Sequence, residues 1–117
     1  MNIDDAGHRG GGESKEYELA VRRADGLLAA LLPRWMEEGY KVMVTADHGM
    51  NANGYHGGVT PAERLVPLYM SGNNGLLPEA GAGTLPQLLL APLMCHCLGL
   101  APSKAMITEG LPSLVQI

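Results

Sequence analysis

The 117-residue sequence predicts an α/β fold, and two observations support this prediction. Helical and extended hydrophobic patterns alternate along the chain, which is the order expected of helices layered against a sheet. Hydrophobic residues make up 46% of the chain and charged residues 17%, so there is enough apolar surface for a core. We therefore expect one ordered small domain or part of one, because the length leaves no room for two.

The longest predicted helix covers about residues 13–38. Apolar side chains recur there at helical spacing: Leu19, Ala20, Leu27, Leu28, Leu31 and Leu32. Ser14 suits the N-cap, because its hydroxyl can accept a hydrogen bond from a free N–H of the first turn. Pro33 lacks the N–H that the helical ladder needs, so we expect it to kink or end the helix, and Gly39 should stop it.

A strand and a glycine-rich loop are predicted next. Residues 40–46 form a short, apolar and partly β-branched run between Gly39 and Asp47, which indicates a strand buried within a parallel sheet. Residues 47–60 are rich in glycine and asparagine and follow the strand directly. Because ligands bind at the carboxyl ends of strands in open α/β sheets, this loop is the first place to look for a site.

The rest of the chain predicts a second strand and a second helix. The strand covers residues 65–71, and Pro67 indicates an edge position or a strand start because it cannot donate to a ladder. Residues 73–75, Asn-Asn-Gly, predict a turn after it. An apolar segment at about residues 85–98 predicts a buried helix, and the tail from residue 101 gives no clear pattern.

Charge and hydropathy exclude several classes of partner. The net charge is −4, and of the eight Lys and Arg residues only Arg22 and Arg23 are adjacent, so we expect no nucleic acid as a sequence-read partner. The most apolar stretch, residues 85–100, is shorter than the roughly 20 residues of a membrane span, so we expect no membrane insertion. The polar N-terminus and two closely spaced cysteines favour a cytoplasmic chain.

Side chains able to bind metal fall into three short clusters: Asp4, Asp5 and His8; Asp47 and His48; and His56. A four-residue spacing puts Asp4 and His8 on one side of a helical turn or compact loop. Carboxylate and imidazole ligands together suit Zn²⁺, with Mn²⁺ or Fe possible. The alternative interpretation is a solvated N-terminal loop and, after the strand, a turn-capping aspartate beside a surface histidine.

These clusters belong to three motifs that resemble a known family. The motifs are, in order, Asp4-Asp5-Ala6-Gly7-His8, Thr45-Ala46-Asp47-His48-Gly49-Met50 and His56-Gly57-Gly58. They resemble the C-terminal part of the alkaline phosphatase superfamily, most closely its type I phosphodiesterase and nucleotide pyrophosphatase branch. The resemblance covers essentially the whole chain. It implies a partial alkaline-phosphatase-like fold with a mostly parallel sheet and flanking helices, in a metal-dependent hydrolase of phosphate esters.

The resemblance also implies a set of metal ligands. Asp4, His8 and His56 would hold one divalent ion, while Asp47 and His48 would contribute to a second. Zinc is the expected metal, with manganese possible. Asp5 competes for the first position, but Asp4 has the family's four-residue spacing to the histidine. Paired cations of this kind polarise a phosphoryl oxygen and stabilise the attacking and leaving oxygens of a phosphate-ester substrate.

One part of the family pattern is missing from this sequence. Members carry a further metal-binding aspartate and a threonine or serine nucleophile upstream of these motifs, whereas here Met1 lies three residues before Asp4. We therefore expect residues 1–117 to be the C-terminal part of the domain, without its nucleophile region. The hydroxyls of Ser14, Thr45 and Thr60 lack the context of a nucleophile.

Two further interpretations remain open. The first is another enzyme of the superfamily, either a phosphonate hydrolase or a relative of the cofactor-independent phosphoglycerate mutases, although Met50 stands where the mutases tend to have asparagine. The second is a non-catalytic truncated module for metal binding or assembly. The strand at residues 40–46 would then have an unpaired edge, which favours self-association or pairing with an N-terminal partner chain.

Overall fold

The computed structural model describes residues 2–72, 75–79 and 83–116, and the chain divides into two compact units, Met1–Met70 and Ser71–Ile117. The elements up to the boundary are α1 (Ile3–Gly10), α2 (Lys15–Glu37), β1 (Val42–Val44), α3 (Pro61–Arg64) and β2 (Tyr69–Ser71). Those after it are β3 (Leu76–Pro78), a 3-10 turn (Gln87–Leu89), α4 (Leu90–Cys97) and β4 (Leu114–Gln116).

The N-terminal segment forms helix α1, so of the two predicted conformations, a helical turn or a compact loop, the structure has the helical one. Its N-cap is Asn2, whose side-chain oxygen accepts a hydrogen bond of 2.7 Å from the N–H of Asp5. Ala6 is fully buried, and α1 packs against α2. The cap and this packing together stabilise a helix of only eight residues, which would be marginal in isolation.

Helix α2 lies within the predicted range of about residues 13–38. The Ser14 hydroxyl accepts a hydrogen bond of 3.1 Å from the N–H of Tyr17, which confirms the predicted N-cap. The helix runs through Pro33 to Glu37, so of the two predicted effects of Pro33, a kink or an end, the end does not occur. A proline removes one hydrogen bond from the ladder, and the bonds on either side are enough to continue the helix here.

Gly39 ends α2 as predicted. Its φ of +86° lies in the left-handed region that favours glycine. The N–H of Gly39 donates to the carbonyl of Met36, and the N–H of Tyr40 donates to that of Trp35. This pair of bonds satisfies carbonyls that the last turn would otherwise leave without partners.

The apolar side chains of α2 are only partly covered. Ala20 is buried, whereas Leu19, Leu27 and Leu31 are 46%, 67% and 42% exposed. The helix is therefore confirmed as an element, while much of its apolar surface faces outwards within the part of the chain that the structure describes.

The strands form two small sheets. In the first, β1 pairs with β2, and both lie inside the predicted strands at residues 40–46 and 65–71. Strand β2 starts only after Pro67, as expected from the donor that proline lacks. In the second, β3 pairs with β4 in antiparallel orientation, with Leu77 opposite Val115. Helices and small sheets together agree with an α/β fragment, while the mostly parallel sheet goes beyond what these pairs show.

The second unit is built around α4. Pro86 has extended backbone (φ −59°, ψ 137°), so a 3-10 turn and α4 replace the continuous helix predicted over residues 85–98. Pro92 lies in the first turn of α4, where no N–H donor is needed. Leu93 is fully buried and Leu89 is 4% exposed, so these leucines form the core of this unit.

Three further sequence predictions concern the C-terminal tail, the turn at residues 73–75 and the membrane. Strand β4 lies in the tail, for which no element was predicted. Residues 73 and 74 of the predicted turn lie outside the described residues. Over the ranges that the structure describes, no helix is both long and apolar enough to cross a membrane.

Candidate metal centre

Helix α1 supplies the first two candidate ligands. Asp4 and His8 are one turn apart, and the Oδ1 atom of Asp4 lies 3.5 Å from the Nε2 atom of His8. Both side chains are about half exposed, at 47% and 44%. The backbone N–H of Asp5, the competing candidate, donates to the Asn2 side chain at the start of the helix.

The segment after β1 brings further ligands to the same carboxylate. The Oδ1 atom of Asp4 lies 3.9 Å from Nε2 of His48 and 3.8 Å from Nε2 of His56. One donor atom from each of Asp4, His48 and His56 lies within 4.8 Å of the others. Asp47 is 89% exposed, and its Oδ1 atom lies 3.7 Å from Nε2 of His48.

The three imidazole rings are packed against one another. His48 and His56 are stacked, with centroids 3.7 Å apart and planes inclined by 13°. The centroids of His8 and His56 are 5.0 Å apart, and their Nε2 atoms are 3.2 Å apart. The structure therefore brings Asp4, His48 and His56 together, with His8 next to Asp4 and His56 and the exposed Asp47 next to His48.

Backbone carbonyls fix the orientation of two of these rings. The Nδ1 atom of His8 lies 2.7 Å from the carbonyl oxygen of Gly54, and that of His48 lies 2.9 Å from the carbonyl oxygen of Gly49. Because a carbonyl can only accept, Nδ1 carries the proton in each ring and donates it. A neutral ring then has its lone pair on Nε2, the atom that faces Asp4. Metal-binding histidines are commonly oriented by a hydrogen bond of this kind.

The donor set fits a divalent cation. One carboxylate and several Nε2 lone pairs converge, and the close approach of the Nε2 atoms of His8 and His56 is favourable when a cation lies between them. Mixed oxygen and imidazole ligands suit zinc and, less strongly, manganese. Partial exposure of His48 and His56, at 29% and 34%, leaves room for an ion to enter.

A buried carboxylate that sequence reasoning missed lies beside the centre. Glu63 is 5% exposed, and its two side-chain oxygens accept four hydrogen bonds from Asn51, Gly58 and Thr60. These bonds, first that from the Thr60 hydroxyl, lower the pKa of Glu63, although burial acts in the opposite direction. The sequence does carry a signal for it, since Thr60-Pro61-Ala62-Glu63 has the S/T-x-x-E pattern of a capping box.

Close packing behind the centre requires glycine at position 49. The N–H of Gly49 donates to the carbonyl of Glu63 at 2.7 Å. A Cβ atom at this position would lie 2.0 Å from the carbonyl oxygen of Ala62. Any larger residue would therefore push apart the segment that carries His48 and the turn at α3.

A cavity of about 520 Å³ opens beside the ligand cluster. Asp4, Asp47 and His48 line it together with apolar side chains such as Leu27, and with Tyr17 and Arg23 from α2. A cavity of this size, lined by both polar and apolar side chains, is typical of small-molecule sites.

The three hydroxyls that the sequence left without a catalytic role all have structural partners. Thr45 donates to the carbonyl of Pro67 at 2.8 Å, and Thr60 donates to Glu63 at 2.6 Å. The Ser14 hydroxyl caps α2.

Comparisons with known proteins find one family model and relatives that are named as phosphate transferases. A family model described as type I phosphodiesterase / nucleotide pyrophosphatase matches residues 1–80, a segment that contains all three metal-binding motifs. The GPI ethanolamine phosphate transferase 3, catalytic subunit, of Mus musculus is 29% identical over 103 residues, which cover 86% of this chain and 9% of the relative. The Homo sapiens protein of the same name is 28% identical over 117 residues, which cover 97% of this chain and 11% of the relative. The chain thus spans about a tenth of the length of these relatives, and no solved structure matches it.

Proposed function

The chain belongs to the type I phosphodiesterase and nucleotide pyrophosphatase family, as its three motifs indicated, and we propose that it supplies the metal ligands of a phosphate-ester hydrolase or transferase. On this proposal residues 1–117 are the C-terminal part of an alkaline-phosphatase-like domain. Strands β1 and β2 would belong to a larger, mostly parallel sheet in the complete domain.

The observation that carries the proposal is the convergence of ligand atoms on Asp4. Its Oδ1 atom lies 3.5, 3.9 and 3.8 Å from the Nε2 atoms of His8, His48 and His56. Following the family pattern, we assign Asp4, His8 and His56 to one ion and Asp47 and His48 to a second. Zinc is the proposed metal and manganese the alternative.

The proposed chemistry divides between the metals and the protein. Divalent ions held here would polarise a phosphoryl oxygen and offset charge on the leaving oxygen of a phosphate ester. The protein orients the imidazoles through the Gly49 and Gly54 carbonyls, and the neighbouring cavity admits the ester. Arg23 lines the same cavity, and we propose that its guanidinium attracts the anionic substrate.

The nucleophile is expected to lie outside residues 1–117. Ser14, Thr45 and Thr60 make the structural contacts described above, so none of them is offered for this role. We therefore propose that the chain binds metal by itself but turns over substrate only when the rest of the domain is present.

Transfer to an alcohol is a second candidate reaction. Both curated relatives are named ethanolamine phosphate transferases, which favours an alcohol over water as the acceptor. The same ligand cluster would serve either acceptor, because both deliver an oxygen to the phosphorus atom. In a longer polypeptide that includes the nucleophile, ³¹P NMR of the products formed with and without an added alcohol distinguishes transfer from hydrolysis.

A non-catalytic assembly role is a third candidate, and the exposed apolar side chains of α2 favour it. Leu19, Leu27 and Leu31 are 46%, 67% and 42% exposed. Apolar surface of this kind is commonly covered by a second protein surface. We propose that it contacts either a second copy of the chain or an N-terminal partner chain.

Calorimetric titration with zinc chloride at neutral pH tests the main proposal. We expect saturable binding, with a Kd at least tenfold higher for the His56→Ala variant than for the wild type. His96→Ala is the matched control, because His96 is an exposed histidine on α4, in the second unit. Equal zinc affinity of the wild type and the His56→Ala variant would contradict the proposal.

A further inference from the structure

We propose that Glu63 is a positioning residue of the metal centre, which holds the segments carrying His48 and His56 at a fixed distance from each other. This inference rests on the proposed metal-binding function. Glu63 does not touch the ligand atoms in any contact described above, and it acts through the backbone on both sides of the cluster.

The side chain of Glu63 holds the segment around His56. Its Oε1 atom accepts a hydrogen bond of 3.1 Å from the N–H of Gly58, two residues after His56. Its Oε2 atom accepts bonds of 3.1 and 2.6 Å from the N–H and the hydroxyl of Thr60. One buried carboxylate therefore fixes the chain on the C-terminal side of this histidine.

The backbone of Glu63 holds the segment around His48. Its carbonyl accepts a bond of 2.7 Å from the N–H of Gly49. The carbonyl of Gly49 in turn accepts a bond of 2.9 Å from Nδ1 of His48. The residue whose carbonyl orients His48 is thus itself held by the backbone of Glu63.

A third connection runs through Asn51. Its side-chain nitrogen donates to Oε1 of Glu63 at 3.0 Å, and its side-chain oxygen accepts from the N–H groups of Asn53 and Tyr55. Gly54 lies between those two residues, and its carbonyl accepts the bond from Nδ1 of His8. Glu63 therefore also stabilises the turn that orients the third histidine.

A capping role alone does not explain this arrangement. Capping of α3 accounts for the bonds with Thr60 but not for those from Gly58 and Asn51. All four bonds at the side chain come from donors, which requires an acceptor on both oxygens. Glutamine has the same shape but turns a donor toward at least one of these groups, and at 5% exposure little water can compensate.

Zinc titrations of a double-mutant cycle test the proposal, using the wild type, Glu63→Gln, His56→Ala and the combined variant. We expect Glu63→Gln to raise the zinc Kd by about 10–100-fold, the range typical of groups that orient metal ligands. In the His56→Ala background, the factor by which Glu63→Gln raises the zinc Kd should be at least three times smaller than in the wild type, because part of the effect of Glu63 depends on His56. The control Glu37→Gln, at an exposed position on α2, should bind zinc as the wild type does.

Two results of these titrations would show that Glu63 does not position the metal ligands. The proposal is overturned if Glu63→Gln folds and binds zinc with unchanged affinity, or if it raises the Kd by the same factor in both backgrounds. If Glu63→Gln does not fold, Thr60→Val decides, because it removes the 2.6 Å bond to the carboxylate and keeps the side-chain shape. An unchanged Kd for a folded Thr60→Val variant also overturns the proposal. Unaltered zinc binding by His56→Ala would instead refute the proposed function itself.

Discussion

Replacing Gly49 with alanine should destabilise the first unit strongly. The added Cβ atom would lie 2.0 Å from the carbonyl oxygen of Ala62, whereas ordinary contacts begin at 3.4 Å, so the two segments must separate by more than an ångström. Such overpacking costs about 1–3 kcal/mol. Separation also breaks the bond from the Gly49 N–H to the Glu63 carbonyl, which contributes about 0.5–1.5 kcal/mol. We expect the free energy of unfolding to fall by about 2–4 kcal/mol in total.

Gly26→Ala is the matched control for this substitution. Gly26 lies inside α2, and among the residues that the structure describes no atom beyond its own stretch of helix lies within 4 Å of its added Cβ position. Because alanine is a better helix former than glycine, this variant should gain about 0.5–1 kcal/mol. The same change of residue type is therefore expected to have opposite effects at the two positions.

Urea denaturation followed by Trp35 fluorescence measures both effects. Trp35 is the single tryptophan of the chain and lies on α2, so its signal reports on the first unit. The titrations are carried out with EDTA, so that metal binding does not contribute to the free energy of unfolding. A Gly49→Ala variant within about 0.5 kcal/mol of the wild type, the ordinary range for a surface substitution, would refute the packing argument.

The remaining predictions concern the buried carboxylate, a helix cap and the apolar face of α2. Hydrogen bonds lower the pKa of Glu63 below its ordinary 4.5, so its carboxylate stabilises the fold above that pH and this contribution is lost as the pH falls through the folded-state pKa. From about pH 5 to 3 the urea midpoint of the wild type should fall more steeply than that of Glu63→Gln, and parallel profiles would count against this. Ser14→Ala should lower the free energy of unfolding by about 1 kcal/mol in the same titration, and no change would show that the cap contributes nothing. On gel filtration the chain should elute larger than a monomer, and the double variant Leu27→Glu, Leu31→Glu should shift toward the monomer, since both leucines are exposed. A wild-type monomer at high concentration would exclude self-association.

Local signals in the sequence predicted most of the first unit. Ser14 and Gly39 mark the ends of α2 because capping depends on one hydroxyl and one left-handed glycine, both of which are visible in sequence. Both strands lie within their predicted ranges, and Pro67 correctly delays the second. Pro33 does not end α2, because the loss of one hydrogen bond is outweighed by the long stretch of helix that precedes it.

Other features depend on distant parts of the chain and could not be predicted locally. Strand β4 lacks a strong pattern of its own and is specified by pairing with β3, almost 40 residues earlier. Sequence reasoning proposed the ligands but could not give their separation, nor that Gly49 and Gly54 would orient the rings. Glu63 was missed because its role depends on four donor groups, from three residues, that converge only in the folded chain.

The pairing of β3 with β4 makes most of the second unit a closed loop. Residues 79–113 begin and end at a ladder of three residue pairs, in which Pro78 lies opposite Leu114. Each doubling in the length of such a loop costs only about 0.6 kcal/mol of closure entropy. Ser103 and Lys104 are exposed and lie outside every helix and strand of this unit. A reporter domain inserted between them would disturb the hydrogen bonds from Ala105 and Met106 to Ser103 but would leave α4 and the ladder in place. We therefore expect the second unit to accept foreign sequence at this point, which is far along the chain from every proposed metal ligand.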